Sequence, residues 1–420
     1  MKEVIVSYGK DKISFSIEEK HLMGVFAPNE VKTRPAKEVL EEALEKPQGG
    51  QAFEAFVEEA KDLLILINDA TRPTPTSEVL EHILPHLEKK KVQIMVATGA
   101  HRAPTEDEWK WLLGSTYQRF QEHLLVHDAK KSETVHLGTS ENGTELHLNR
   151  IINEVDRILV IGSVEPHYFA GYTGGRKAFL PGIAAFSTIQ QNHSLALRPE
   201  ARPLALRGNP IHDDMENAIQ CLDESRIFSI QTVLDSSHNI YGATGGDIHE
   251  SFYAAIDMAH EVFCVELDEL ADVVVSVAPY PMDIDLYQSQ KAIENGKLAL
   301  KEGGILIMVT QCRDGVGGHT FYQLLSSSPD TKVVMDTIQK GYKLGYHKAA
   351  KLIETAQKFS MWAISDLSAD VLEKVFIESK PDIQTAVDAA LALKGEGTRL
   401  MVLPEGSYTV PKVTKPKDPG

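Results

Sequence analysis

Hydrophobic positions in this chain fall into short, dense runs separated by polar segments marked with proline and glycine, the spacing of a parallel α/β architecture. Residues 62–68, "DLLILIN", form an almost unbroken apolar run, as a strand buried on both faces of a parallel sheet requires. The run stops at Asp69 in "DATRPTPTSEVLEHILPHLEKKK", where Thr74, Pro75 and Ser77 are helix-start residues. "VQIMVATGAHRAPTEDEW" repeats the plan, with Pro104 and acidic residues opening the next helix. A third run, "RILVIGS" at 157–163, leads into "EPHYFAGYTGGRKAFLPGIA" at 165–184, which has neither helical nor strand period. A long aperiodic segment in a compact domain is either disordered or functional, and its aromatic residues speak against disorder.

The pattern restarts near residue 266. "ADVVVSVAPYPMDIDLYQSQKAIENGKLALKEGGILIMVTQ" reads strand, loop, helix, strand, and "KFSMWAISDL" and "TRLMVLPEG" supply further strands. The expected fold class is α/β, with two domains that each carry a mostly parallel sheet flanked by helices. The expected boundaries are 1–265 for an N-terminal α/β domain, 266–406 for a C-terminal one, and 407–420 for a frayed Lys- and Pro-rich tail. In open parallel sheets the loops after the strands share one edge, where ligands sit. If the three N-terminal strands are neighbours, the loops carrying Asp69 and Arg72, His101 and Arg102, and Glu165 and His167 converge.

Composition narrows the chemistry. The 420 residues are 42% hydrophobic and 25% charged, ordinary globular values, with a formal net charge of −17. That balance disfavours nucleic-acid binding, which needs clustered Lys and Arg, and leaves room for an anionic small substrate held by a few local cations. No apolar window reaches membrane-span length, and the first twenty residues alternate like a strand rather than a signal peptide. A soluble cytoplasmic protein with no membrane partner is expected. Cys221, Cys264 and Cys312 stand far apart, which suits buried structural thiols and speaks against a thiolate metal site.

Several motifs fail on inspection. "GYTGGRKA" has the wrong glycine spacing for a phosphate loop and Ala178 after the lysine, the dinucleotide fingerprint is missing from that segment, and HExxH is absent. Lys177 is either a solvated surface lysine or, with Arg176 beside it and glycines allowing close approach, a nucleophile or covalent anchor. His101 and His167 each follow a strand closely, and two imidazoles on one sheet edge suit proton transfer. His193, in the helical "TIQQNHSLAL", taken alone reads as a polar surface residue. Arg72 precedes a helix start, where a guanidinium makes a carboxylate site. Gln288 and Lys291 lie three apart and share one face of a helix.

Taken in order, "DATRPTP", "ATGAHR", "EPHYFAGYTGGRKAFLPGIA", "NHS", "YQSQKA" and "RDGVGGHTFY" make the sequence resemble the nickel-pincer nucleotide-dependent lactate racemases over nearly its whole length. The resemblance implies a 2-hydroxy acid racemase or epimerase that works through a 2-keto acid, with the active site in an interdomain cleft. It implies a pyridinium bisthiocarboxylic acid mononucleotide holding nickel, covalently bound to Lys177, with His193 as the protein's nickel ligand and Asp69 lining the cofactor pocket. His101 and His167 become acid and base on opposite faces of the substrate, and Arg72, Gln288, Lys291 and Tyr346 hold it. Proteins that build the cofactor and insert nickel become implied partners.

The chemistry agrees. A C–H beside a carboxylate is far too weak an acid for an imidazole with a pKa of about 6.5, so an electron sink is required. Soft sulfur donors with one imidazole suit nickel, which explains a single metal-ligand histidine and no cysteine cluster. The sequence departs from the family at Ala70, where a lactate-acting member has histidine, and at Tyr346, aligned with a tryptophan; lactate itself is therefore not singled out among 2-hydroxy acids. Two other readings of the same residues are a Schiff-base lyase or aldolase acting through Lys177 and a non-catalytic carboxylate binder.

Overall fold

The computed structural model describes residues 1–413. The chain divides into two compact units, Glu30–Val262 and the combination of Met1–Asn29 with the chain from Phe263 onward. The first 29 residues, expected in the N-terminal domain, thus belong with the second unit. Their alternation explains it: the hairpin of Lys2–Tyr8 with Asp11–Ile17 turns Val4, Val6, Phe15 and Ile17 into the core of that unit, against Val273, Val275, Ile305 and Ile307.

In Glu30–Val262 six strands form one sheet, in the order Ile240–Gly246, Ile227–Leu234, Arg157–Ser163, Asp62–Ile67, Lys91–Val96, Leu124–Val126. All neighbours are parallel except the outer pair Ile227–Leu234 with Ile240–Gly246. Leu63 to Ile67 are at most 1% exposed, so the apolar run is a strand covered on both faces. Its odd positions meet Val79, Leu80 and Ile83 of helix Thr76–Ile83 and Leu112 and Leu113 of helix Glu106–Leu113, while Leu64 and Leu66 are buried on the opposite side. Because Asp62–Ile67 lies between Lys91–Val96 and Arg157–Ser163, the three loops leave adjacent parallel strands at one edge.

The second unit holds six parallel strands, Glu378–Ser379, Ser360–Ile364, Leu300–Val309, Ala271–Val277, Leu400–Leu403 and Leu22–Val25 in spatial order. The tail begins as structure rather than as a frayed end: Val410–Val413 pairs in parallel with Cys264–Leu267, because Val410 has apolar company there. The rest of the expected tail, 414–420, lies outside the described residues. Cys264 and Cys312 are buried thiols, but Cys221 is exposed, at the end of helix Pro210–Gln220.

Residues 165–184 are a packed plug. Pro166–His167 and Gly171–Tyr172 form a small antiparallel pair, and Gly175–Ala178 makes one 3-10 turn. Arg176, 1% exposed, organises the segment. Its Nε donates to His212 Nδ1 at 2.8 Å, its Nη2 donates to the Ala170 carbonyl at 3.1 Å, and its guanidinium stacks 4.0 Å from the Phe252 ring centroid. Burial lowers its pKa to about 10, and Glu216, 3.4 Å from Nε, opposes that. Glu216 also pairs with His249 Nδ1 at 2.6 Å.

The glycines serve this packing. Gly174 (φ +85°) sits where a Cβ would lie 2.6 Å from Gln231 and Val164, and at Gly171 (φ +75°) it would lie 2.1 Å from the Ala205 carbonyl oxygen. They admit the protein's own atoms, so the expected clearance for an approaching ligand is not their role.

Two stability predictions follow from the Arg176 network. Arg176→Met removes the cation facing Glu216 and the donor to His212 and the Ala170 carbonyl, and is expected to cost about 3–5 kcal/mol in urea denaturation, against less than about 1 kcal/mol for Lys177→Ala; equal costs would contradict the organising role of Arg176. The Glu216 hydrogen bond outweighs burial and raises the His249 pKa to about 9. A pKa raised on folding stabilises fully below the unfolded value of about 6.5 and fades as pH rises through the folded one. The Tm gap between wild type and His249→Gln should therefore be widest near pH 6 and close by pH 10.

Candidate functional site

The three strand-end loops are fixed by short polar links. Thr74, buried after the Asp62–Ile67 strand, accepts from Asn68 Nδ2 at 2.7 Å and bonds Ser163 Oγ at 2.8 Å, joining the "DATRPTP" loop to the end of Arg157–Ser163. The Gly99 N–H donates to the Gly182 carbonyl at 2.9 Å, which ties the "ATGAHR" loop to the plug. Buried His127, which the sequence did not single out, secures the same corner: its Nε2 bonds the Ala184 carbonyl at 2.9 Å and its Nδ1 bonds Asn149.

Asp69 and His101 meet directly. Asp69 Oδ2 lies 2.9 Å from His101 Nδ1, and Oδ1 accepts from the Thr71 N–H at 2.8 Å and from its hydroxyl at 2.5 Å. Burial opposes ionisation of this carboxyl, but the His101 and Thr71 hydrogen bonds prevail and hold its pKa at about 2. An ionised partner on Nδ1 fixes the His101 tautomer, leaving Nε2 as a base on a half-exposed side chain. Asp69 thus acts on His101 as a positioning residue. Arg102, expected beside it, turns to Glu108 at 2.6–2.7 Å. Arg72 is half-buried, and its guanidinium has no ion-pair or hydrogen-bond partner among the described residues.

On the plug, Phe169 is the meeting point. Its ring centroid lies 4.5 Å from that of His167, 5.3 Å from that of His193 and 5.7 Å from Lys177 Nζ. His167 Nδ1 accepts from the Ala170 N–H at 3.3 Å, which places the proton of the neutral ring on Nε2. His193 ends helix Phe186–Ser194 and faces inward, unlike the surface residue its segment suggested. Burial lowers its pKa to about 3, with the charges of Lys177 and His101 adding to the shift, so the imidazole is neutral, as a metal ligand must be. His101, His167, Lys177 and His193 are therefore neighbours within one unit. Phe169 was missed in the sequence, where the triplet His167-Tyr168-Phe169 was its one signal. A separate cavity of about 620 Å³, lined by Lys32, Arg34, Glu42 and Tyr241, includes none of these residues.

In the other unit Gln288 and Lys291 lie on helix Leu286–Gly296, which Asp285 caps by accepting from the Gln288 N–H at 2.7 Å. Both are half-buried, and Lys291 Nζ is 3.6 Å from Met282 Sδ. Gln290 donates to the Lys348 carbonyl at 2.8 Å, and Lys348 Nζ sits 3.8 Å from the Tyr287 ring centroid, so this helix is clamped to helix Tyr346–Lys358. Tyr346 starts that second helix, 9% exposed, with its ring 6.3 Å from Tyr342. Tyr287 and buried Lys348 had not been selected from the sequence; adjacency to Gln288 pointed to the first, and nothing local pointed to the second.

Comparison with known proteins places these features in a family. The lactate racemase N-terminal domain matches residues 8–203 and the lactate racemase C-terminal domain matches 267–410. The chain is 30% identical to the lactate racemase of Thermoanaerobacterium thermosaccharolyticum, over 97% of this chain and 98% of that one. It is 29% identical to the lactate racemase of Lactiplantibacillus plantarum, over 98% and 100%. The structure of the T. thermosaccharolyticum lactate racemase apoprotein superposes with a TM-score of 0.91, covering 98% of this chain and all of that one. A Thermotoga maritima protein, 16% identical with 90% and 98% covered, shares the fold with a TM-score of 0.68. The chain belongs to the lactate racemase family and is an enzyme of the isomerase class.

Proposed function

We propose that this chain racemises or epimerises a 2-hydroxy acid with the help of a nickel-pincer nucleotide carried on Lys177. The observation that carries the reading is the gathering of Lys177, His167 and His193 around Phe169, with His101 held by Asp69 beside them. The donor set fits such a group: Lys177 offers an amine for a covalent link, and His193 offers one neutral, half-buried imidazole to nickel. When bound, the nucleotide supplies a reversible hydride acceptor for a carbinol carbon whose C–H no imidazole can ionise.

The chain's own residues do the remainder. Arg72 presents a guanidinium to the substrate carboxylate, and Gln288, Lys291 and Tyr346 are further substrate-binding residues. His101 Nε2 takes the hydroxyl proton while Asp69 steadies the resulting imidazolium. His167, entering as imidazolium with the Ala170 N–H contact released, returns the Nε2 proton to the same oxygen when the opposite enantiomer forms, and ends as a neutral ring whose Nε2 can take a proton in the reverse direction. Ala70 and Tyr346 contribute to the choice among 2-hydroxy acids. Cofactor-building and nickel-inserting proteins are the partners this reading requires, in the cytoplasm; among the described residues no helix is long and apolar enough to cross a membrane.

Protein matured with those accessory proteins should racemise at least one member of a panel of D-2-hydroxy acids, and Lys177→Ala should be inactive and lack the cofactor mass on the intact chain. Bare Lys177 on an active enzyme, or a borohydride-trapped keto acid in place of the nucleotide, would replace this reading by a Schiff-base one. His101→Ala and His167→Ala should each lower kcat by at least about 100-fold with nickel content retained, whereas His193→Ala should lose nickel. Asp69→Asn should lower kcat by at least about tenfold and shift the acid limb of the pH–rate profile. Equal, mild effects across these variants would contradict the division of roles.

A further inference from the structure

A second cluster of metal-ligating side chains lies outside this site, on the hairpin of Thr134–Thr139 with Glu145–Asn149. His136 and His147 are register partners, and their rings are 4.7 Å apart between centroids with planes 32° apart. Glu145 lies two residues before His147 and so on the same face. A bulge between His136 and Gly138 shifts the register so that Glu145 pairs with Thr139, and Glu145 Oε2 comes within 2.9 Å of His136 Nε2. One ligand atom from each of His136, Glu145 and His147 lies within 4.8 Å of the other two.

The surroundings prepare these groups. The Thr139 hydroxyl donates to Glu145 Oε1 at 2.8 Å, which fixes the carboxylate and leaves Oε2 toward the histidines. The strand beneath is clamped to helix Phe186–Ser194: Thr188 Oγ1 donates to the Glu145 carbonyl at 2.6 Å and accepts from the His147 N–H at 3.1 Å. The Glu145 N–H donates to Gln191 Oε1 at 2.7 Å, and the Ala185 N–H donates to the His147 carbonyl at 2.9 Å. Two of the three ligands therefore stand on backbone that is held at every turn. Donors at about 2.0–2.1 Å from a tetrahedral ion lie about 3.3 Å apart, so small side-chain rotations close the triangle.

We propose that His136, Glu145 and His147 bind a borderline first-row divalent cation, with Zn²⁺ the best-matched probe, at a site separate from the Lys177 pocket. Two imidazoles and one carboxylate suit such an ion and leave coordination positions for water. Hard cations, which prefer all-oxygen shells, are excluded by the same donors.

Isothermal titration of the full chain with ZnCl₂ tests it, with MgCl₂ as control. Saturable binding of one Zn²⁺ is expected in wild type and in His193→Ala, with affinity reduced more than about tenfold in His136→Gln and in His147→Gln, and no saturable Mg²⁺ binding. Zn²⁺ should also raise the Tm of the wild type, a readout that needs no variant to fold. No saturable binding, no Tm shift, binding that survives loss of both histidines, or binding lost in His193→Ala would overturn the proposal.

Discussion

A guanidinium placed in the interior must be satisfied by the protein around it, and Arg176 imposes that condition on the whole candidate site. Its hydrogen bonds run to a carbonyl of its own segment and to His212 of helix Pro210–Gln220, and its stacking partner Phe252 belongs to helix Ile248–Phe263. Residues far apart in sequence thus hold the backbone on which Lys177 and His167 stand. The neighbouring cations have opposite fates: one is locked into the interior, and the next is carried to the rim of Phe169.

Around that anchor, local hydrogen bonds decide protonation. Asp69 fixes the His101 tautomer from Nδ1, the Ala170 N–H fixes His167 from the same ring position, and burial keeps His193 neutral. Three chemically identical side chains thereby become three different reagents, through their partners rather than through their type.

Much of this was legible in the sequence where a single element carries the information. The 62–67 strand, its neighbours and the shared edge followed from dense apolar runs and helix-start residues; His101 and His167 stood out because they follow strands, and Lys177 because Arg176 and glycines flank it. What local pattern concealed was tertiary. Arg176 read only as the cation adjacent to Lys177, because sequence does not tell a guanidinium that faces Glu216 and His212 from one that faces solvent. The plug's glycines read as room for a ligand, whereas Gln231, Val164 and the Ala205 carbonyl take up that room. His193 lies on a helix whose face toward Phe169 no periodicity distinguishes.

The place of the first 29 residues carries a consequence for how the molecule is made. Among the described residues Leu22–Val25 is an edge strand paired only with Leu400–Leu403, so a strand made early waits for one made much later before it can join its sheet. Glu30–Val262, contiguous in sequence, has all its strands long before then. Synthesis therefore completes the body carrying His101, His167 and Lys177 first, while one edge of the other sheet stays open until Leu400–Leu403 is made, with the apolar Leu22–Val25 strand in need of protection until then.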